Sequence, residues 1–239
     1  MKLIAIILLI FSFIGAYSQE TVTIDNNSRI SSSNYSNKIT YYKVDDGDVI
    51  LLNDDTVGTP YLFEDYKIGS IYIYDELTVP SIAVKYNAYN DIFLVKTSLA
   101  TPDSEAQGIT KSGDLKIKLG NNFFVALPST DSRYELQYYE LLSQGKKGSL
   151  LKKNGKIYKD RIEATTSLTR DIPATFKDQT TYFFKHSNGD FSELPTSKKK
   201  FIEVFGNDKK QAATIIKEHK LNIKNEADLI KFFKYYETN

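Results

Sequence analysis

The chain has no cysteine and no tryptophan, and among its 239 residues there are only two histidines, His186 and His219, and a single methionine, Met1. Without thiols there are no disulfides, thiolate metal sites or cysteine nucleophiles, and no N-terminal cysteine for a lipid. Neither histidine has a second histidine or carboxylate at a recognised ligand spacing, so no metal site is expected. His186 reads as part of a hairpin and His219 as a cation in the last turn of a helix. The sequence contains no His-Glu-x-x-His, no Gly-x-Ser-x-Gly, no phosphate-binding glycine loop and no dinucleotide fingerprint. Acyl-transfer and zinc chemistry therefore lack their parts; no catalytic residue and no cofactor is assigned, and the ligand-binding residues stay unknown. Hydrolysis by a pair of carboxylates stays open, because two Asp or Glu can meet from anywhere in a chain. Asp45-Asp46-Gly47-Asp48 lacks the spaced ligands and closing glutamate of a calcium loop, and with Asn53-Asp54-Asp55 it reads as turn.

Net charge is also missing. The chain carries 31 Lys and Arg against 30 Asp and Glu. Residues 196–239 hold ten lysines against six acids, so the excess of positive charge sits at the C-terminal end. A chain neutral overall has no general pull toward nucleic acid, and no nucleic-acid partner is expected. Lysines interleaved along helices read first as a solvated face.

Long apolar runs are absent except at the start. Lys2 precedes Leu3-Ile4-Ala5-Ile6-Ile7-Leu8-Leu9-Ile10-Phe11, Gly15 breaks the run, and Ala16-Tyr17-Ser18 places small residues where a signal peptidase reads. A spanning helix needs about 20 apolar residues, and Ser12 and Gly15 interrupt this run before that. Residues 1–18 are therefore expected to be a secretory signal peptide, cleaved after Ser18. The mature chain is expected to be soluble, with no transmembrane segment, and either periplasmic or secreted.

The rest of the chain is rich in strand signals. Residues 19–40 carry Ser, Asn and Thr and read as a flexible lead-in with one short strand, Thr21–Ile24. From Tyr41 to Leu194 short alternating or apolar runs are separated by turn residues. Hairpins are expected at 41–44/49–52, 82–86/92–96, 115–119/123–127, 134–142/149–153 and 181–185/191–194. Leu115, Ile117 and Leu119 alternate with Lys116 and Lys118, and Asn188-Gly189 is a strong turn signal. Ile71–Tyr74 reads as a strand, and Val79-Pro80 as a break. After Pro195 the period changes to that of helices. Thr196 or Ser197 opens one carrying Phe201, Ile202, Val204 and Phe205. Asn207 or Asp208 opens a second with Ala212, Ile215 and Ile216. Asn225 opens a third with Leu229, Ile230, Phe232 and Phe233.

The abundant residues are 17 tyrosines and 14 phenylalanines. Tyrosine suits a half-buried β surface, with its ring packed and its hydroxyl wet. Two sets are candidates for a ligand groove for sugar or peptide: Tyr134, Tyr138 and Tyr139, or Tyr61, Tyr66, Tyr72 and Tyr74.

Several stretches together resemble a family of uncharacterised exported proteins of Bacteroidota. They are Tyr86-Asn87-Ala88-Tyr89-Asn90-Asp91, the run Tyr139-Glu140-Leu141-Leu142 to Gly148-Ser149-Leu150-Leu151-Lys152-Lys153, and Tyr182-Phe183-Phe184-Lys185. The lysine-rich tail, Lys198-Lys199-Lys200-Phe201 through Leu229–Tyr236, completes the likeness. Gln19, next to the expected cleavage site, is similar to signal peptides of that group. The resemblance implies export and no catalytic residues. Its helical end, where other exported proteins of such bacteria carry a β-type sorting domain, implies a periplasmic home.

The expectation is a mainly β protein: an antiparallel sheet, sandwich or roll of hairpins over residues 41–195, followed by a small helical segment over 196–239. The expected function is that of a non-enzymatic binding or accessory protein of the bacterial envelope, with an envelope protein or a glycan as its partner. A carboxylate-dependent glycan hydrolase is the alternative. A third reading, an anionic-surface binder, needs Lys198, Lys199, Lys200, Lys209, Lys210 and Lys217 on one exposed face.

Overall fold

The computed structural model describes residues 23–25, 29–31, 39–44, 55–129, 135–166 and 170–238. The expected signal peptide, Tyr134, and the turn and second strand of the hairpin expected at 41–52 lie outside them. Two short strands, β1 (Thr23–Asp25) and β2 (Arg29–Ser31), pair with each other. Eleven more of the described strands form one antiparallel sheet. They are β3 (Tyr41–Lys43), β4 (Lys67–Ile73), β5 (Glu76–Asn87), β6 (Ile92–Lys96), β7 (Gln107–Ile109) and β8 (Leu115–Leu119), then β9 (Asn122–Pro128), β10 (Leu136–Gln144), β11 (Gly148–Lys159), β12 (Thr175–His186) and β13 (Phe191–Glu193). Their order across the sheet is β13-β12-β11-β10-β9-β8-β4-β5-β6-β7-β3.

Most neighbours in that order are consecutive in the chain, and for several of them local turn chemistry is enough to specify the pairing. β5 and β6 pair from Ala83↔Lys96 to Asn87↔Ile92, and β8 and β9 close at Leu119↔Asn122. β12 and β13 pair from Phe183↔Glu193 to Lys185↔Phe191 around the expected Asn-Gly turn. Two features correct the sequence reading. Pro80 does not break the chain; it lies inside β5. The register between β4 and β5 shifts there, with Gly69 opposite Ile82 but Ile71 opposite Val79, so Ser70 faces two residues. A bulge spares Pro80 the ladder bond it cannot donate, and the Ser70 hydroxyl donates to its carbonyl at 2.8 Å. Tyr74 and Asp75 form a two-residue turn joining β4 to β5, both with positive φ (51° and 62°). That geometry normally calls for Asn-Gly, so the hairpin carried no sequence signal.

The sheet curls around the larger core. Ile71, Ile82, Val84, Tyr86, Phe93, Ile117, Phe124 and Tyr138 come from β4, β5, β6, β8, β9 and β10, yet share one cluster. The Tyr138 hydroxyl reaches the Ile109 carbonyl in β7 at 3.4 Å, although six steps of the sheet separate the two strands. Tyr86 stacks on Phe93 at 4.6 Å, and Phe93 meets Tyr138 edge-on at 4.7 Å. Gly108 sits opposite Tyr42, and a Cβ there would lie 2.3 Å from the Tyr42 ring. The interior is therefore filled with side chains.

Burial raises the phenol pKa of Tyr41, Tyr86 and Tyr138 well above its ordinary value, and the Asp91 carboxylate raises the last two further. A phenol whose folded pKa is raised stabilises the fold fully below its unfolded pKa, about 10. That contribution is lost as pH climbs above it, by up to about 1.4 kcal/mol per pH unit for each buried tyrosine. Cooperative alkaline unfolding is thus expected to begin just above pH ~10, followed by tyrosinate absorbance and circular dichroism in one transition. Tyrosinate absorbance rising at its ordinary midpoint in a still-folded chain would contradict it.

Three helices close the fold: α1 (Lys198–Glu203), α2 (Lys209–Glu218) and α3 (Glu226–Thr238). Asn225 caps α3 as expected, its side-chain oxygen accepting from the Asp228 N–H at 3.1 Å. Ser197 and Asp208 precede α1 and α2 without a side-chain capping bond. Phe201, Phe205, Ala212, Ile215, Ile216, Leu229, Phe232, Phe233 and Tyr236 bury against Leu150 and Phe184 of the sheet. No helix of the described residues is long and apolar enough to cross a membrane.

Candidate functional site

Three turns meet beside the outer edge of β13. They are the β10–β11 turn with Lys146 and Lys147, the β12–β13 turn Ser187–Asp190, and the α1–α2 link Phe205–Asp208. Between them and residues 127–129 at the end of β9 lies an open cleft of about 1390 Å³. The turns are tied together by main-chain groups. The Ser187 N–H donates to the Lys147 carbonyl at 3.0 Å. The Lys147 N–H donates to both carboxylate oxygens of Glu237 in α3, each at 3.0 Å. Near the end of α3, the Tyr236 hydroxyl donates to Asp208 at 2.8 Å.

The charges in the cleft are unequal in their freedom. Asp208 is occupied by Tyr236, and Asp190 accepts from the Asn188 amide at 2.8 Å. Lys147 donates to Gln211 at 3.2 Å and rests 4.3 Å above the Tyr236 ring. Lys146 and Lys185 have no carboxylate partner among the described residues. The His186 ring lies 4.0 Å from Phe184. Its desolvation there pushes the imidazole pKa below the ordinary value, against the opposing pull of Asp190. Desolvation thus favours the neutral form of His186, and the lysines carry most of the cleft's positive charge.

A second polar cluster lies under α3. Glu140 of β10 is buried and accepts from the Asn154 amide at 2.6 Å. The Lys152 ammonium lies 3.7 Å from Glu140 and 2.8 Å from Glu226, the first residue of α3. The Tyr182 hydroxyl also donates to Glu226, at 2.9 Å. Two carboxylates near one another are what the hydrolase reading asks for. Both are held by the same ammonium, however, and neither lines the cleft. Hydrolysis needs one carboxyl to keep a proton and the other to face a water. This cluster instead stitches a helix to the sheet.

Tyr134 lies outside the described residues, and the other members of the two tyrosine sets do not line one groove. Tyr138 and Tyr139 are adjacent on one strand, so their side chains take opposite faces. Tyr138 enters the large core, while Tyr139 packs with Leu151 and Phe183 on the other side. Tyr61 and Tyr66 cover Lys85, at 3.9 and 5.3 Å from the ring centroids. Lys96, 4.4 Å from Tyr66, is pinned to Asp103 and the Thr101 carbonyl at 2.7 Å each. Tyr72 meets Phe123 and Tyr74 sits in the tight turn. His219 stacks on Tyr235 at 3.7 Å, outside the cleft lining. Lys198, Lys199, Lys200, Lys209, Lys210 and Lys217 are all exposed. Among the described residues no three His, Asp or Glu converge where a metal ion could be held. The cleft residues were visible in the sequence only as turn residues; nothing local shows that turns 40 positions apart meet.

No protein-family model, no curated protein and no solved structure matches this chain.

Proposed function

We propose that the chain is an exported, non-enzymatic binding or accessory protein of a bacterial envelope, and that the cleft beside β13 is its ligand seat. The observation that carries this reading is the cleft itself: open, lined by three turns, and holding lysines that no described carboxylate neutralises. The histidine of the cleft, His186, is desolvated against a phenylalanine ring. The glycan-hydrolase alternative finds two carboxylates in the cleft, Asp190 and Asp208, but they are engaged by the Asn188 amide and the Tyr236 hydroxyl, and Glu140 and Glu226 are committed to Lys152. Export is supported by the sequence of residues 1–18 and by the resemblance to exported Bacteroidota proteins.

Expression of the full chain with its N-terminus intact tests the reading. Mass spectrometry of the envelope fraction is expected to find a mature N-terminus at Gln19. Reducing-sugar release from envelope glycans is expected to be absent in wild type. An unprocessed cytoplasmic product, or glycan cleavage lost in Glu140→Gln, would overturn it.

A further inference from the structure

We infer that the outer edge of β13 receives an extended acidic peptide of another protein, which joins the sheet as its next strand. This rests on the reading of the cleft as a ligand seat and adds the class of ligand.

β13 is the last strand in the sheet order, so one of its edges has no neighbouring strand among the described residues. The ladder dictates which groups face that edge. The His186 N–H donates to the Asp190 carbonyl at 2.8 Å, and the Leu194 N–H to the Tyr182 carbonyl at 2.7 Å. In an antiparallel pair, hydrogen-bonded and non-hydrogen-bonded positions alternate. Asp190, Ser192 and Leu194 therefore turn their main-chain groups to β12. Phe191 and Glu193 turn theirs, N–H and C=O alike, outward.

The cleft reaches this edge at Phe191 and Ser192. Phe191 stacks on Phe183 at 5.2 Å, on the face of the sheet away from the helices. Phe184 and the neighbouring His186 look toward the helices. Cleft walls come from both faces: Lys185 and Phe191 on one, His186 and Asp208 on the other. A strand edge that no described strand pairs, leaving a cleft at Phe191 and continuing to Glu193, is the geometry of strand addition. There the backbone supplies affinity and alternate side chains enter flanking pockets.

Charge selects the ligand. Lys146, Lys147 and Lys185 outnumber Asp190 and Asp208 in the lining, and Lys146 and Lys185 lack carboxylate partners among the described residues, so an incoming strand meets a net positive wall. The Glu193 side chain is exposed and outside the cleft lining. A glycan is less well served. Sugars stack on open aromatic faces, and here Lys147 covers Tyr236 while Phe191 lies on Phe183.

The test uses the full mature chain and a fluorescent peptide of alternating Glu and Val, followed by anisotropy. Saturable binding is expected, weakening steeply as salt rises from about 50 to about 200 mM. Lys146→Gln with Lys185→Gln should weaken it and flatten the salt dependence. Glu193→Pro removes an outward N–H without touching the bonds to β12. It should weaken binding about tenfold or more at unchanged melting temperature, whereas Glu193→Ala, which only removes a like charge, binds at least as tightly as wild type. Should Glu193→Pro unfold, amide exchange in the wild-type protein decides. Slowed exchange at Phe191 and Glu193 on adding peptide is the expected result, and unchanged exchange overturns the inference. It is also overturned by the absence of saturable binding at millimolar peptide, or by Glu193→Pro binding as well as Glu193→Ala. Polygalacturonate binding that depends on the lysines but ignores Glu193→Pro would overturn the peptide and leave the cleft a ligand seat. Lysine substitutions without effect on any anion would remove the seat as well.

Discussion

Phe184→Ala is expected to cost about 4 kcal/mol and to loosen the helical segment from the sheet. Phe184 is fully buried and stands where the sheet meets the helices. Its ring lies 4.8 Å from Phe233, 5.4 Å from Phe205 and 6.0 Å from Tyr236. Aromatic pairs add roughly 0.5–1.5 kcal/mol each beyond the area they bury, and here several converge on one side chain. The surroundings cannot close the gap easily. Gly148 already approaches so closely that a Cβ on it would sit 2.6 Å from the Phe184 ring. Short helices carry little stability of their own, so what they lose at Phe184 is not recovered locally. Thermal unfolding should split, with the helical signal at 222 nm lost before the tyrosine environment of the large core changes. Phe93→Ala, in the other cluster, should instead lower the core transition first. A single unshifted transition in Phe184→Ala would show that the helices are not anchored through this ring.

Lys152→Met is expected to be nearly as damaging, at about 3–5 kcal/mol, and largely reversible by a second change. The ammonium serves two carboxylates, one of them the buried Glu140, whose side chain is 8 % exposed. Removing it leaves Glu140 with the Asn154 amide as its bonded partner and a second negative charge, Glu226, close by. Breaking a buried pair costs more than the pair contributes, because the surviving charge stays desolvated. Glu140→Gln in the same background removes that charge and keeps an oxygen for Asn154, so the double variant should regain most of the loss. Urea denaturation of the four proteins in a double-mutant cycle measures this. Losses that simply add would mean that the two side chains do not interact.

Much of the architecture was legible because it is local. β6, β8 and β9 follow turn residues, and β8 and β9 alternate in the period of two that the pleat imposes, as Leu115, Ile117 and Leu119 show. The α3 cap at Asn225 and the stripe Leu229, Phe232, Phe233 were equally readable. The misses have local reasons too. The turn at Tyr74 and Asp75 lacks the residues its backbone normally demands, and Pro80 is tolerated only because a bulge excuses it. β3 pairs with β7 across more than sixty residues, and no short-range pattern announces such a partner.

The sequence by itself determined that thiol chemistry is missing, where most of the strands and the three helices lie, and, in alternating strands such as β8, which side is apolar. All of these depend on composition or on neighbours a few positions apart. Tertiary structure alone decided that Tyr138 and Tyr139 serve different cores, that Glu140 and Glu226 share one lysine, and that three turns frame a cleft along β13. Those outcomes depend on how the sheet curls and where the helices land. Many weak packing contacts between residues far apart in the chain set that arrangement.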